Sequence, residues 1–300
     1  MQESGYVCAA YAESLCEFGT PRRLEESGGW ILERAIPGSS LRDAIGCYPI
    51  FSCSDWSKLH LDLENMGDEL ISLSMVPDPF GDYEVAYLND CFKDLVTPFK
   101  QHYVIDMERS LDETVSRHHK KAIRQAQRKI QTEVCHQPLE ILEDWLALHQ
   151  RLVSKHSIRG IRAFSRRAFE QQLQTPGVVV LLAKYNEEIV GIQLWFQHQD
   201  VAFGHVLAFS DVGYRLKASY ALYWFALNYF SDKVRWCDLG GVAGNTDHDA
   251  NGLHQFKAGW STGKKTAYLC GRILNASVYQ ELVTQNGRTA GYFPAYRKSF

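Results

Sequence analysis

From Val178 onward the hydrophobic and polar positions follow a pattern that restricts the structure closely. VVVLLAKY, EIVGIQLWFQ and DVAFGHVLAF are rich in β-branched and aromatic residues. Asn186-Glu187-Glu188 and His198-Gln199-Asp200 separate them, and separators of hairpin length predict an antiparallel meander. Lys217 to Phe230, KASYALYWFALNYF, is apolar nearly all round, which predicts a helix buried on several sides and too short to span a bilayer. VRWCDL then reads as a strand, Gly240-Gly241 as a break, Asn251 to Trp260 as a helix, and TAYLCGRIL as a last strand.

Upstream, SLDETVSRHHKKAIRQAQRKI has the spacing of one amphipathic helix, with Ser110 as its cap and Glu113 completing a capping box. Val115, His119, Ile123, Ala126 and Ile130 share one face, and Arg117, Lys120, Lys121, Arg124 and Arg128 line the other. Leu139 to Ser154 is a second helix, and a basic SKHSIRGIRAFSRR segment leads from it into Ala168 to Gln174. The first third is less regular. Trp30 to Ala35, Leu70 to Met75 and His102 to Met107 are strands, and Trp56 to Met66 has helical spacing. This alternation argues for an α/β layer architecture.

Length adds domain count: 300 residues exceed one ordinary core and favour two domains of about 150 residues each. A net charge of −3 gives no global attraction to DNA or to an anionic membrane, so any polyanion site is local. The eight cysteines are scattered, without a CxxC pair or zinc spacing, and read as reduced, mostly buried thiols. The N-terminal stretch lacks the basic start and apolar run of a signal peptide, and no segment has the length of a transmembrane span. The expected compartment is the cytoplasm.

The order αα-βββ-α-β-α-β resembles the GNAT acyltransferase fold. The segment Asp238-Leu-Gly-Gly241, followed by a short loop and GLHQFKAGW, is similar to the C-terminal signature of the FemAB-like branch, the peptidoglycan-bridge aminoacyltransferases and their acetyltransferase relatives. Phe256 and Lys257 match its Phe-Lys pair. HHKKAIRQAQRK and YRLKASYALYWFAL resemble two further helices of that family, and GWILERAIP with GCYPIF resembles its shorter first unit. The resemblance implies two tandem GNAT-like units of α+β type, with mixed, mostly antiparallel sheets flanked by helices. Residues 1–109 would form a partial N-terminal unit and 110–300 the acyltransferase domain.

Acyl transfer to an amine needs a bound donor, an outlet for the amine proton, and hydrogen-bond donors aimed at the developing oxyanion. On a helical wheel Leu253, Phe256, Lys257 and Trp260 share one arc, so Lys257 lies on an apolar face. A lysine there reaches past its neighbours to water, pairs with an acid such as Asp238, or faces an anionic ligand. The resemblance implies the last role, charge stabilisation in acyl transfer. Asp238, at a strand end, and His205, on a meander strand with Phe203, Leu207 and Phe209, are the other catalytic candidates; a turn cap and a core histidine are their structural alternatives. The donor's phosphates are expected at Arg215, Lys217, Ala218 and Ser219, where the GNAT pyrophosphate signature is not met because alanine and Tyr220 occupy its small positions. Tyr214, Phe256, Trp260 and Arg124 are candidate substrate contacts. Asp247, His248 and Asp249 alternate acid and imidazole, but without further ligands at metal spacing no metal is expected.

The expected function is therefore N-acyl transfer from acyl-CoA, a co-substrate rather than a resident cofactor, to an amine of an amino sugar, a cell-wall or exopolysaccharide precursor, or a peptide. Two alternatives stand beside it. An aminoacyl-tRNA donor would track the cations of the 117–128 helix, and a non-catalytic GNAT-like module would keep only a binding cleft.

Overall fold

The computed structural model describes residues 3–67, 69–242, 247–286 and 291–297, the side chains of 247–251 excepted. In chain order the first elements are α1 (Ala9–Glu13), β1 (Thr20–Arg23), β2 (Trp30–Ala35), β3 (Arg42–Gly46), α2 (Leu59–Asn65), β4 (Ser72–Met75), α3 (Val85–Cys91) and β5 (Leu95–Asp106). Next come α4 (Leu111–Thr114), α5 (Arg117–Ala126), β6 (Gln131–Cys135), α6 (Leu142–His156), α7 (Arg166–Gln172), β7 (Val178–Tyr185), β8 (Glu188–His198) and β9 (Val201–Phe209). The chain continues through α8 (Asp211–Arg215), α9 (Ala218–Phe230), β10 (Trp236–Asp238), α10 (Asp247–Ala258), β11 (Gly263–Ile273) and α11 (Ala276–Asn286). The sequence pattern finds the meander and both its hairpins; α1, β1, β3, α3, β6, α7, α8 and α11 are elements it does not.

Two compact units share the chain: Met1–Phe99, Arg159–Phe164 and Ala267–Phe300 form the first, and Lys100–Ile158 with Ser165–Thr266 the second. Where the sequence reading draws one boundary between 109 and 110, the units interleave along the chain. In the first unit the strand order is β1-β2-β3-β4-β11, antiparallel except for β3 and β4. Its core gathers Ile31, Phe51, Trp56, Leu63, Leu73 and Phe92. Asp43, fully buried, is matched there by Arg34 at 3.0 Å and Arg297 at 2.8 Å; a charge so desolvated needs such partners.

The second unit carries the order β5-β10-β9-β8-β7-β6. Helices α5 and α9 pack on one face around Ile105, Ile123, Trp195, Leu222, Phe230 and Trp260. On the other face α6 and α7 bring Trp145, His149 and Phe169 together. The long helix read from Ser110 is broken. Val115 is extended, the Ser116 amide donates to Gly259 O at 3.0 Å, and Ser116 rather than Ser110 caps α5 by accepting from the His119 amide at 3.2 Å. A tertiary bond thus ends the first turn where local spacing would continue it.

The opening in this sheet comes from two irregularities. Strand β10 runs parallel to β9 only where Trp236–Asp238 face Val201–Phe203, while β9 continues to Phe209. Between Gly204 and Val206 the β8 register skips His205, a bulge that adds a residue to β9. The four residues from Gly204 to Leu207 are only partly buried in an otherwise buried strand, where β10 no longer pairs with β9.

Candidate functional site

Strand β10 ends at Asp238, and the backbone turns at Gly240, whose φ of +70° is left-handed and therefore favours glycine. The turn is held from both sides. Asp238 Oδ1 accepts from the Gly240 amide at 2.7 Å, and Lys257 Nζ donates to Gly241 O at 2.6 Å. A Cβ added at Gly240 would sit 3.7 Å from Lys257 Nζ, so the ammonium lies against the turn itself.

Lys257 stands at the end of α10 and is 8% exposed. Burial lowers its ammonium to about 8; Asp238 pulls the value upward and Lys100 pushes it down. The lysine is thus mainly charged at neutral pH, in surroundings where charge acts over less screening than in water. An ammonium has three donors. One is committed to Gly241, and no other described residue accepts from it.

Asp238 carries a second partner that sequence reasoning did not single out. His102, on β5, donates from Nδ1 to Asp238 Oδ2 at 2.7 Å, and both side chains are buried. Asp238 is paired with Val104 in the β5–β10 register, so His102 reaches it on the diagonal. No linear motif encodes this pair.

A further histidine fixes Lys257 from behind. His119 Nε2 donates to Phe256 O at 2.8 Å, which makes Nδ1 the acceptor for Ser116 Oγ at 2.9 Å. Burial pushes its pKa below the usual histidine value, favouring this neutral ring. Gly259 is required beside it, since a Cβ there would meet His119 Cε1 at 2.1 Å. Phe256, Tyr220, Tyr223 and Trp260 complete an aromatic cluster around the ring, with centroid separations of 5.0 Å for Tyr220–Phe256 and 5.7 Å for Tyr223–Trp260.

These contacts sort the residues expected from sequence. Lys257 and Asp238 are brought together at the turn. His205 is not among them: the bulge turns it away from Leu207 and Phe209, which lie in the α9-side core, and towards Phe196 and Gln172, the latter at 3.3 Å. Burial, with His149 adding to it, lowers His205 to about 3. Trp260 is fully buried and Phe256 packs in the same cluster, so Trp260 offers no surface to a substrate. Leu253 does not share the buried face with them and is 38% exposed. Arg124 lies on the exposed face of α5, beside Arg117 and Lys121. Asp247, His248 and Asp249 have side chains outside those described; the backbone there already belongs to α10.

At the far end of β9, six residues beyond Phe203 and roughly 20 Å away at strand spacing, the chain passes through α8 into α9. Lys217 joins them in a left-handed conformation, φ 60°, and no side chain caps α9. Ala218 is buried, Ser219 half-buried and Arg215 exposed; Lys217 Nζ donates to Gln125 Oε1 at 2.7 Å. Tyr220, which occupies a small position of the pyrophosphate signature, turns its ring into the His119 cluster, 5.0 Å from His119. The ring is therefore engaged in that cluster. A cavity of about 680 Å³ adjoins this end of β9, lined by Gln150, Arg151, Ser154, Lys155, Phe209 and Tyr214, among others. Lys155 Nζ lies 4.3 Å from the Tyr214 ring centre. The uncapped helix start and the cations of the turn fit a phosphate-bearing donor.

Residues 116–257 match the family model of the acetyltransferase (GNAT) domain. Among solved structures the chain is similar to FemX, with a TM-score of 0.69 and 14% identity over 91% of this chain and 93% of that one. It is also similar to the C-terminal domain of a putative lysylphosphatidylglycerol synthetase from Agrobacterium fabrum, at TM-score 0.65 and 13% identity over 94% and 92% of the two chains. L-PGS from Bacillus licheniformis follows at TM-score 0.59 and 13% identity over 95% and 98%. At such identities the likeness is one of fold. No curated protein matches the chain.

Proposed function

We propose that this GNAT-domain protein is an N-acyltransferase that moves an acyl group from a coenzyme A thioester to a primary amine of an amino sugar, an envelope or exopolysaccharide precursor, or a peptide. The observation that carries this reading is the buried, charged Lys257 held on Gly241 O where β10 leaves β9. A thioester lying along the uncovered edge of β9 has its carbonyl near this ammonium, whose remaining hydrogens stabilise the tetrahedral oxyanion. Such a donor is worth about 10²–10³ in rate when its site is dry.

The phosphates of the donor fit the opposite end of the same strand. Ser219 and Ala218 contribute helix-start amides, and Arg215 and Lys217 contribute charge. Tyr214 and Arg151 line the adjoining cavity, whose size is within the range of small-ligand sites. In this reading Tyr214 contacts the distal part of the donor, and the reacting amine enters at the Gly240–Gly241 end.

One observation favours a second reading. Arg117, Lys121 and Arg124 form an exposed cationic row on α5, which suits the backbone of a charged tRNA. Thermal melting with acetyl-CoA, free coenzyme A or an adenine nucleotide separates the two. A saturable rise specific to the coenzyme, with thiol release once amines are supplied, supports the thioester reading. No shift at millimolar coenzyme, together with tRNA binding that weakens steeply with salt, replaces it by the second.

A further inference from the structure

We infer that His102, oriented by Asp238, is the general base that takes the proton of the attacking amine. The inference rests on the acyl-transfer reading of the Lys257 site and names a group that reading leaves open.

The geometry has three parts. A carboxylate only accepts, so the 2.7 Å pairing of Asp238 Oδ2 with His102 Nδ1 places the His102 proton on Nδ1. Nε2 is then the basic nitrogen, and no described residue takes it. The carboxylate that orients the ring also lies close enough to Lys257 to raise its pKa, so base and oxyanion donor share one anchor and flank one turn. A buried carboxylate holding one imidazole nitrogen, with the other nitrogen unengaged, is the arrangement that makes histidine an oriented base.

The step balances without a further reactant. The neutral amine attacks the thioester carbon, a C–N bond forms, and the C=O π pair moves onto the oxygen facing Lys257. A nitrogen proton passes to His102 Nε2. Collapse restores the carbonyl and breaks the C–S bond, and the leaving sulfur receives the proton from His102, which returns to its starting state. Asp238 is a positioning residue in this scheme: it holds the tautomer and touches neither reactant.

The test uses the full chain with acetyl-CoA and a panel of amino sugars and short peptides, following thiol release. His102→Asn, His102→Ala, Asp238→Asn, the Asp238→Asn/His102→Asn double variant and Lys257→Met are compared. The expected result is a loss of 100-fold or more in kcat for both His102→Asn and Asp238→Asn, with KM for acetyl-CoA and melting temperature close to wild type. The double variant should be no slower than either single one, and added imidazole should restore part of the His102→Ala rate. Merely structural roles would give additive losses and no rescue. If Lys257→Met is inactive while His102→Asn keeps full turnover, the base assignment is overturned and acyl transfer stands. If wild-type protein releases no thiol with any amine of the panel, both fall.

Discussion

The ring of His119, on α5, donates to the carbonyl of Phe256, on α10, at 2.8 Å, one residue before the buried Lys257. Its other nitrogen is held by Ser116, the residue that caps α5. A helix start and a candidate catalytic side chain are thus joined through one neutral imidazole. Ser116→Ala should cost about 1 kcal/mol through the lost cap and lower turnover further by loosening Lys257. Urea unfolding and the ratio of kcat to donor KM report the two effects separately; unchanged turnover in a destabilised variant would separate the cap from the site.

Gly259→Ala should be harsher. The new methyl group would overlap the His119 ring, and overpacking of this kind costs about 1–3 kcal/mol. Its expected signature is a lower melting temperature with acetyl-CoA affinity retained, because the proposed phosphate site is at the far end of β9.

Lys257 links stability to pH with a definite sign. Its folded value of about 8 is below the ordinary 10.5, so between these values the unfolded chain holds more protons and stability rises with pH. Below pH 8 both states are charged and the burial penalty is complete, on the order of 3 kcal/mol. Lys257→Met should therefore be more stable than wild type at pH 7, and the gap should close as pH approaches 10.5. Melts at pH 7 and 9.5 check this, and the same variant should lose turnover by about 10²–10³.

His205 and His149 act at the other end of the scale. Burial holds them down to about 3 and about 4, against 6.5 unfolded. The unfolded chain gains protons first, so stability drains away as pH falls from 6.5 towards 4 and then 3. His205→Gln should flatten that acid limb in a pH series of urea melts and leave turnover within a few-fold of wild type. A loss of activity as large as that of Lys257→Met would instead return His205 to the reacting centre.

Ser219→Asp tests the α9 start. A carboxylate placed against phosphates at a helix N-terminus repels them, so KM for acetyl-CoA should rise by about tenfold or more with kcat little changed. An unaltered KM would remove the α9 turn from the donor site.

Much of this protein is legible along the chain because it depends on nearest neighbours. The meander strands are bounded by their own turn residues, and α9 is marked by a run of apolar positions with no polar face. Phe256-Lys257 behind a Gly-Gly break marks the site through resemblance. Side-chain periodicity of this kind is set by backbone geometry within a few residues, and it needs no knowledge of what packs on top.

Tertiary structure decided the rest. His102 and Asp238 are 136 residues apart and meet only through the antiparallel register of β5 on β10. The helix read from Ser110 breaks at Val115 because the amide of Ser116 is taken by Gly259. His205 changes faces because one extra residue enters β9, and the Tyr220 ring lies in an aromatic cluster that only the packing of α5, α9 and α10 assembles. Each outcome turns on a hydrogen bond or a contact between segments distant in sequence, whose free energy exceeds the weak local preference it overrides. The sequence by itself determined the meander, the buried helix α9 and that a lysine must be accommodated on an apolar face; only the fold decided which carbonyl, carboxylate and imidazole it would meet.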